Sequence, residues 1–401
     1  MPPLPDPIKR LHDGLADPFG CAPLAIQVRD KSSVVIVVSD YTRNVRYPLW
    51  LPELLNKLNE AGIPDASVQL YVASGTHRSM TPEEKQETYG ADVCKRVEIL
   101  DHDCDNLDRM KKIGRTSYGT IGYIDERVFN AEMMILTGGI QFHYFAGYSG
   151  GRKAILPGCC ARETILKNHS LVIDKKTGRF ADKVRPGIAL GNPVNEDMLQ
   201  IASQLRPDMC INVVLNSKKE ICWLGVGDQG YKLRRGAQFL DKYNMIEIKE
   251  PVDIAVIGSG GHPKDLTLFQ AHKALKHAEE MLKPGCKVIW LAKCEQGEGT
   301  EEFQSFRSLN VDECTARAQK DISLYSFCSL SIKLLTAKFD IHLVSDLPPE
   351  HVRAWGFTPH ADVESAFAAA VPPDHTGLNW AVVPDCSNML PVLPGHAGLE
   401  G

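Results

Sequence analysis

Residues 142–158 read "FHYFAGYSGGRKAILPG" and put His143, Gly147, Gly150, Gly151 and Lys153 within eleven positions, directly behind the apolar run "EMMILTGG" at 132–139. An imidazole titrates near neutrality and suits general acid–base work, and here it stands ten residues from a primary amine. The glycines between them mark either a close backbone approach or unusual dihedral angles. Phosphate cradling is another use of such a turn, but the order GxxxxGK[ST] is absent.

Other polar sets follow apolar runs in the same way. "SDYTRN" (39–44) offers a carboxylate, a hydroxyl and a guanidinium in Asp40, Thr42 and Arg43, a combination that can grip an anionic group. Its plain alternative is a turn capped by Asp40 with a solvated Arg43. "ASGTHR" (73–78) adds His77 behind small residues, placed as a general base would be, although a lone histidine at a strand end is more often structural. "DHDCD" (101–105) contains metal-ligating residue types, yet neighbours on an extended chain point to opposite faces and cannot all meet one ion. "ETILKNHS" (163–170) supplies His169, whose imidazole suits nickel, zinc or copper. "GSGGHPKDLTLFQAHKAL" (258–275) starts like a dinucleotide loop but does not complete GxGxxG. Its Lys264, Gln270 and Lys273 suggest a helix start that faces an anion.

The elements that must carry these residues are legible as short, continuous β-branched runs at 32–40, 67–75, 96–103 and 132–139, which predict buried parallel strands. Amphipathic stretches at 49–62 and 81–90 predict helices between them. Residues 206–228 read as an antiparallel hairpin around "NSKKE", and a second strand series runs through 252–261, 286–299, 339–346 and 379–385. The expected architecture is α/β, with two domains each built on a mainly parallel sheet flanked by helices. The first spans 1–248 and the second, Rossmann-like, spans 249–401. Ligands bind beyond the carboxyl ends of such strands, and an active site in the interdomain cleft would gather the polar sets above.

Composition narrows the partners. A net charge of -5, without a long basic block, argues against nucleic acid. No apolar run reaches the roughly 18 residues of a membrane span, and the amino terminus lacks the pattern of a signal peptide, so a cytoplasmic protein is expected. The twelve cysteines show no recurring zinc-site spacing and read as buried thiols.

Taken in order, "D-x-T-R" at 40–43, "G-T-H-R" at 75–78, "H-Y-F-A-G-x-S-G-G-x-K" at 143–153, Asn168-His169, and "G-G-x-P-K-D" with "Q-A-x-K" across 260–273 resemble the nickel-pincer lactate racemases and their 2-hydroxyacid racemase and epimerase relatives. The resemblance implies a pyridinium mononucleotide that holds nickel through one carbon and two sulfurs and is joined to a lysine as a thioamide, here Lys153. It implies His169 as the protein ligand of nickel and His77 and His143 as the two acid–base residues. Arg43, Gln270 and Lys273 would hold the substrate, while Asp40, Thr42, Gly150 and Gly151 would shape the cofactor site. The implied reaction inverts C2 of a 2-hydroxy acid by reversible hydride transfer, and the implied partners are that small substrate and the enzymes that build the cofactor.

Two positions depart from the family pattern. Asn44 stands where lactate racemases usually carry proline, and Phe269 where they usually carry tyrosine, which points to a substrate other than lactate. The competing readings are an NAD-dependent hydroxyacid dehydrogenase, against which the broken glycine fingerprint counts, and a non-catalytic carboxylate-binding protein.

Overall fold

The computed structural model describes residues 1–174, 176, 179–320 and 322–396. The chain divides into two compact units. The first comprises Met1–Asn168 and Ile188–Tyr243; the second takes the described residues of His169–Gly187 and those from Asn244 onward. Met245–Glu247, just ahead of the expected boundary at 248/249, pairs in parallel with Leu390–Val392. The excursion at 169–187 carries no local sequence signal of where it belongs.

In the first unit the strands are β1 (Val34–Val38), β2 (Val68–Val72), β3 (Glu98–Asp101), β4 (Met110–Arg115), β5 (Ile121–Asp125), β6 (Met134–Gly139), β7 (Phe142–His143), β8 (Gly147–Tyr148), β9 (Met209–Leu215) and β10 (Ile221–Gly227). Six of them form one sheet in the order β10-β9-β6-β1-β2-β3. All neighbours in it are parallel except β9 and β10, the hairpin expected at 206–228. Residues 34–38 read VVIVV and are buried throughout, as a central strand covered on both faces requires.

The helix Tyr47–Glu60 covers one face of this sheet. It buries Tyr47, Trp50, Leu51, Leu54, Leu55 and Leu58, a stripe at helical spacing. Each such side chain contributes about 1.5–3 kcal/mol by burial, so truncating Leu54 to alanine would cost about 2–5 kcal/mol. The same helix also braces the carboxyl ends of two central strands. The Tyr47 hydroxyl receives the Ser39 N–H (2.7 Å) and meets Thr137 Oγ1 (2.7 Å), which itself donates to the Val37 carbonyl (2.8 Å). One phenol thus ties the ends of β1 and β6 together.

The second unit holds β11 (Met245–Glu247), β12 (Val252–Gly258), β13 (Leu282–Leu291), β14 (Asp340–Val344), β15 (Thr358–His360), β16 (Trp380–Val383) and β17 (Leu390–Val392). Five form a parallel sheet in the order β15-β14-β13-β12-β16, with the helix Leu268–Ala278 following β12. The cysteines are free thiols, most of them buried. Among the described residues no helix is long and apolar enough to cross a membrane.

Candidate active site

In the first sheet β1 lies between β2 and β6, so the chain adds strands on one side of β1 and then on the other. A crevice opens at the carboxyl ends of strands where the order reverses in this way. The loops after β1, β2 and β6 carry Asp40 to Arg43, His77, and His143 to Lys153 respectively, and three contacts draw these loops together. The Gly75 N–H donates to the Gly158 carbonyl at 3.0 Å, joining the β2 loop to the turn that bears Lys153. Ser149 Oγ donates to the Gly139 carbonyl at 2.7 Å, folding that turn back on the end of β6. A Cβ on Gly139 would lie 3.4 Å from the Asn44 carbonyl oxygen, so the β1 loop passes beside the same strand end.

Within this frame Asp40 is buried while the His77 side chain is 42% exposed, and His77 Nδ1 lies 2.6 Å from Asp40 Oδ2. The other carboxylate oxygen, Oδ1, accepts from the Thr42 N–H (3.0 Å) and hydroxyl (2.5 Å). Burial pushes the Asp40 pKa up, but the His77 and Thr42 hydrogen bonds and the charges of His77 and Arg43 outweigh it and hold the group below the usual carboxylate range. An ionised Asp40 can only accept, so the neutral form of His77 carries its proton on Nδ1, which leaves the lone pair on Nε2. Arg43 is exposed, and its guanidinium reaches only the Thr42 carbonyl (3.1 Å) among the contacts seen for it.

His143 has the opposite arrangement. Its Nδ1 accepts from the N–H groups of Phe145 (3.3 Å) and Ala146 (3.1 Å), which fixes the neutral ring with its proton on Nε2. That Nε2 lies 3.3 Å from Lys153 Nζ. The turn between them needs its glycines for protein contacts: Gly147 has φ +74 and a Cβ there would sit 2.1 Å from the Ile188 carbonyl oxygen, while one on Gly150, φ +85, would meet Ile140 and Asn212 within about 3 Å. Gly151 also has a positive φ, at 49°.

Arg152, between Gly151 and Lys153, is buried and acts as a staple. Its guanidinium donates to the carbonyls of Ser149 (3.4 Å), Gly150 (3.3 Å), Ala146 (3.0 Å) and Tyr148 (2.9 Å). Burial pushes its pKa down to about 9, and the four carbonyls compensate part of the charge. Nothing in the sequence announces this residue, since arginine is among the side chains least often buried.

His169 ends the helix Arg162–His169. Among the described residues no three His, Cys, Asp or Glu side chains gather so as to hold a metal ion. His102 proves structural: Tyr71 Oη lies 3.1 Å from its Nδ1, its Nε2 meets the Cys160 carbonyl at 2.9 Å, and burial lowers its pKa. In the second unit Gln270 and Lys273 touch each other on the helix Leu268–Ala278, whereas Lys264 turns to Asp385 at 3.4 Å. Phe269 packs against Phe303 (5.3 Å between centroids) and Tyr325 (5.1 Å).

Known proteins resemble this chain in sequence and in fold. Residues 1–180 match the lactate racemase N-terminal domain and residues 248–390 the lactate racemase C-terminal domain. The chain is 35% identical over 295 residues to a lactate racemase of Lactiplantibacillus plantarum, covering 73% of this chain and 68% of that protein. It is 31% identical over 298 residues to one of Thermoanaerobacterium thermosaccharolyticum, covering 74% and 68%. Its fold is similar to the lactate racemase apoprotein from T. thermosaccharolyticum, with a TM-score of 0.88 at 26% identity over 95% of this chain and 91% of the other. A Thermotoga maritima protein shares the fold with a TM-score of 0.70 at 16% identity, covering 97% and 99%. The chain belongs to the lactate racemase family and is an isomerase of the racemase class.

Proposed function

We propose that the protein inverts C2 of a small 2-hydroxy acid by reversible hydride transfer, using a nickel-pincer pyridinium nucleotide tethered to Lys153. The observation that carries this reading is the 3.3 Å approach of Lys153 Nζ to His143 Nε2 on one stapled turn. A thioamide link needs a free amine rather than an ammonium, and the Nε2–H of His143 faces Nζ as a donor, which favours the amine with its lone pair over an ammonium that would set donor against donor.

The family works with a nickel-dependent cofactor, and the residues present fit such a group. Lys153 offers the amine and His169 an imidazole. The lack of a three-residue metal cluster among the described residues suits an ion that draws most of its donors from the cofactor. When bound, the cofactor supplies the hydride acceptor and donor for C2.

The chain's own residues then manage the proton and the carboxylate. His77 Nε2, with its lone pair, takes the hydroxyl proton of one enantiomer, and Asp40 holds the ring and steadies the imidazolium that forms. His143 serves the opposite side: in its imidazolium form, protonated on Nδ1 as well, it returns the Nε2 proton to the keto oxygen and is left as the neutral ring. One ring thus acts as a neutral base and the other as an imidazolium acid, and they exchange roles for the reverse reaction. Arg43, Gln270 and Lys273 are assigned to the substrate carboxylate and neighbouring oxygens; Asp40, Thr42, Gly150 and Gly151 also belong to the cofactor's surroundings.

The aromatic group of Phe269, Phe303 and Tyr325 beside Gln270 lacks the hydroxyl that a tyrosine at 269 would bring, which favours a 2-hydroxy acid larger than lactate. The test is the mass of the Lys153 peptide from protein produced with cofactor-building enzymes, with nickel assayed on the same sample. A sulfur-containing nucleotide adduct with about one nickel per chain is expected. An unmodified lysine, in a host that modifies a known family member, would overturn the reading.

A further inference from the structure

Asp197 is fully buried on the helix Pro193–Leu205, and no cationic side chain meets it among the contacts seen. All its partners are neutral donors: Thr116 Oγ1 at 2.5 Å, Thr120 Oγ1 at 2.9 Å and Asn168 Nδ2 at 2.9 Å. Asn168 is fully buried too, and its Nδ2 also donates to the Val194 carbonyl at 3.1 Å, while its Oδ1 meets no donor among the described residues. An acidic side chain taken out of water costs several kcal/mol unless its hydrogen bonds are complete, so its retention in a core position calls for a purpose.

The purpose is legible from what the contacts fix. The helix Arg162–His169 is docked by two polar side chains one turn apart. Thr164 Oγ1 receives the Tyr123 N–H (3.0 Å) and donates to the Ile121 carbonyl (2.8 Å), and Asn168 is gripped by Asp197 and Val194. Both anchors resist rotation about the helix axis as well as sliding along it. The last helical residue, next to the second anchor, is His169.

We infer that Asp197, acting through Asn168, is a positioning residue for the metal-binding imidazole: it sets the helix rotation, and so the direction in which His169 leaves the backbone toward nickel. This rests on the reading that His169 ligates the nickel of a cofactor tethered at Lys153. Partners that orient a metal ligand, when removed, typically weaken metal binding about 10- to 100-fold.

The test uses full-length protein loaded by cofactor-building enzymes, in wild type, Asp197→Asn and Asn168→Ala. Two quantities are read: the adduct mass on the Lys153 peptide, and the rate of nickel loss into excess chelator. The expected result is adduct occupancy equal to wild type with nickel lost roughly 10- to 100-fold faster in both variants. Thr116→Ser, which keeps a hydroxyl on Asp197, should lose nickel at the wild-type rate. In a His169→Ala background, Asp197→Asn should add nothing further. Should Asp197→Asn fail to fold, Asn168→Ala alone decides the matter. Loaded variants that release nickel at the wild-type rate, or an Asp197→Asn effect undiminished by His169→Ala, would overturn the inference. A wild type with no adduct on Lys153 instead defeats the proposed function itself, and the inference with it.

Discussion

Replacing Asp40 by asparagine tests the acid–base assignment at the point where it is most specific. Asp40 Oδ1 is held by two donors from Thr42, at 3.0 and 2.5 Å, so asparagine would keep its carbonyl oxygen there and turn its NH2 toward His77 Nδ1. Two donors would then face each other, and the ring escapes by moving its proton to Nε2, which removes the lone pair that the base needs. The charge-assisted bond at 2.6 Å is also lost. Such bonds are worth about 1.5–3 kcal/mol, or about 10- to 150-fold in rate. A wrong tautomer in a carboxylate–imidazole pair can cost about 10⁴-fold. His77 is 42% exposed, so water softens both effects and lets the ring readjust. We therefore expect kcat/KM to fall about 10²- to 10³-fold. Because the overall equilibrium is unchanged, the loss should be equal in the two directions. The assay is optical, following inversion of a 2-hydroxy acid from each enantiomer, with rates normalised to the adduct on Lys153. A loss under about threefold at normal loading would refute the reasoning. So would a large loss confined to poor loading, which would make Asp40 a residue of cofactor attachment only.

Further expectations follow from other contacts. Gly147→Ala puts a Cβ 2.1 Å from the Ile188 carbonyl at φ +74 and should destabilise the first unit by about 2–4 kcal/mol, read as a lower urea midpoint. The Asp40 pKa is held below the ordinary carboxyl value of 3.8, so its contribution to stability is complete above that pH and disappears as pH falls through the lower folded value. Wild type should therefore lose stability relative to Asp40→Asn on acid titration below about pH 4, and parallel curves would contradict the pairing. Phe269→Tyr should raise the preference for lactate over larger 2-hydroxy acids about tenfold in kcat/KM, and an unchanged ratio would remove Phe269 from the specificity argument.

The strands that frame the site were legible because central parallel strands must be apolar on both faces. VVIVV at 34–38 has no other plausible fate, and its neighbours at 68–72 and 134–139 follow the same rule. The β4–β5 pair escaped notice because "MKKIGR" is half exposed and alternates weakly. At the site, residue types pointed to His77, His143 and Lys153, yet which ring nitrogen holds a proton depends on contacts such as the Phe145 and Ala146 N–H groups, and no spacing rule supplies those. Asp197 did leave a trace: with Val194, Met198 and Ile201 it falls on the buried stripe of its helix, an acidic residue at a core position.

If Lys153 is the attachment point as proposed, the buried guanidinium of Arg152 bears on how that one lysine would be singled out. Four backbone carbonyls from residues 146–150 converge on it, so the turn is ordered by the chain itself before any nucleotide arrives. An enzyme or cofactor approaching Lys153 would meet one conformation rather than a mobile loop, and the ordering cost is met during folding instead of at attachment. Selectivity among chemically identical amines would then be a matter of shape, written into a neighbouring side chain that never touches the reaction.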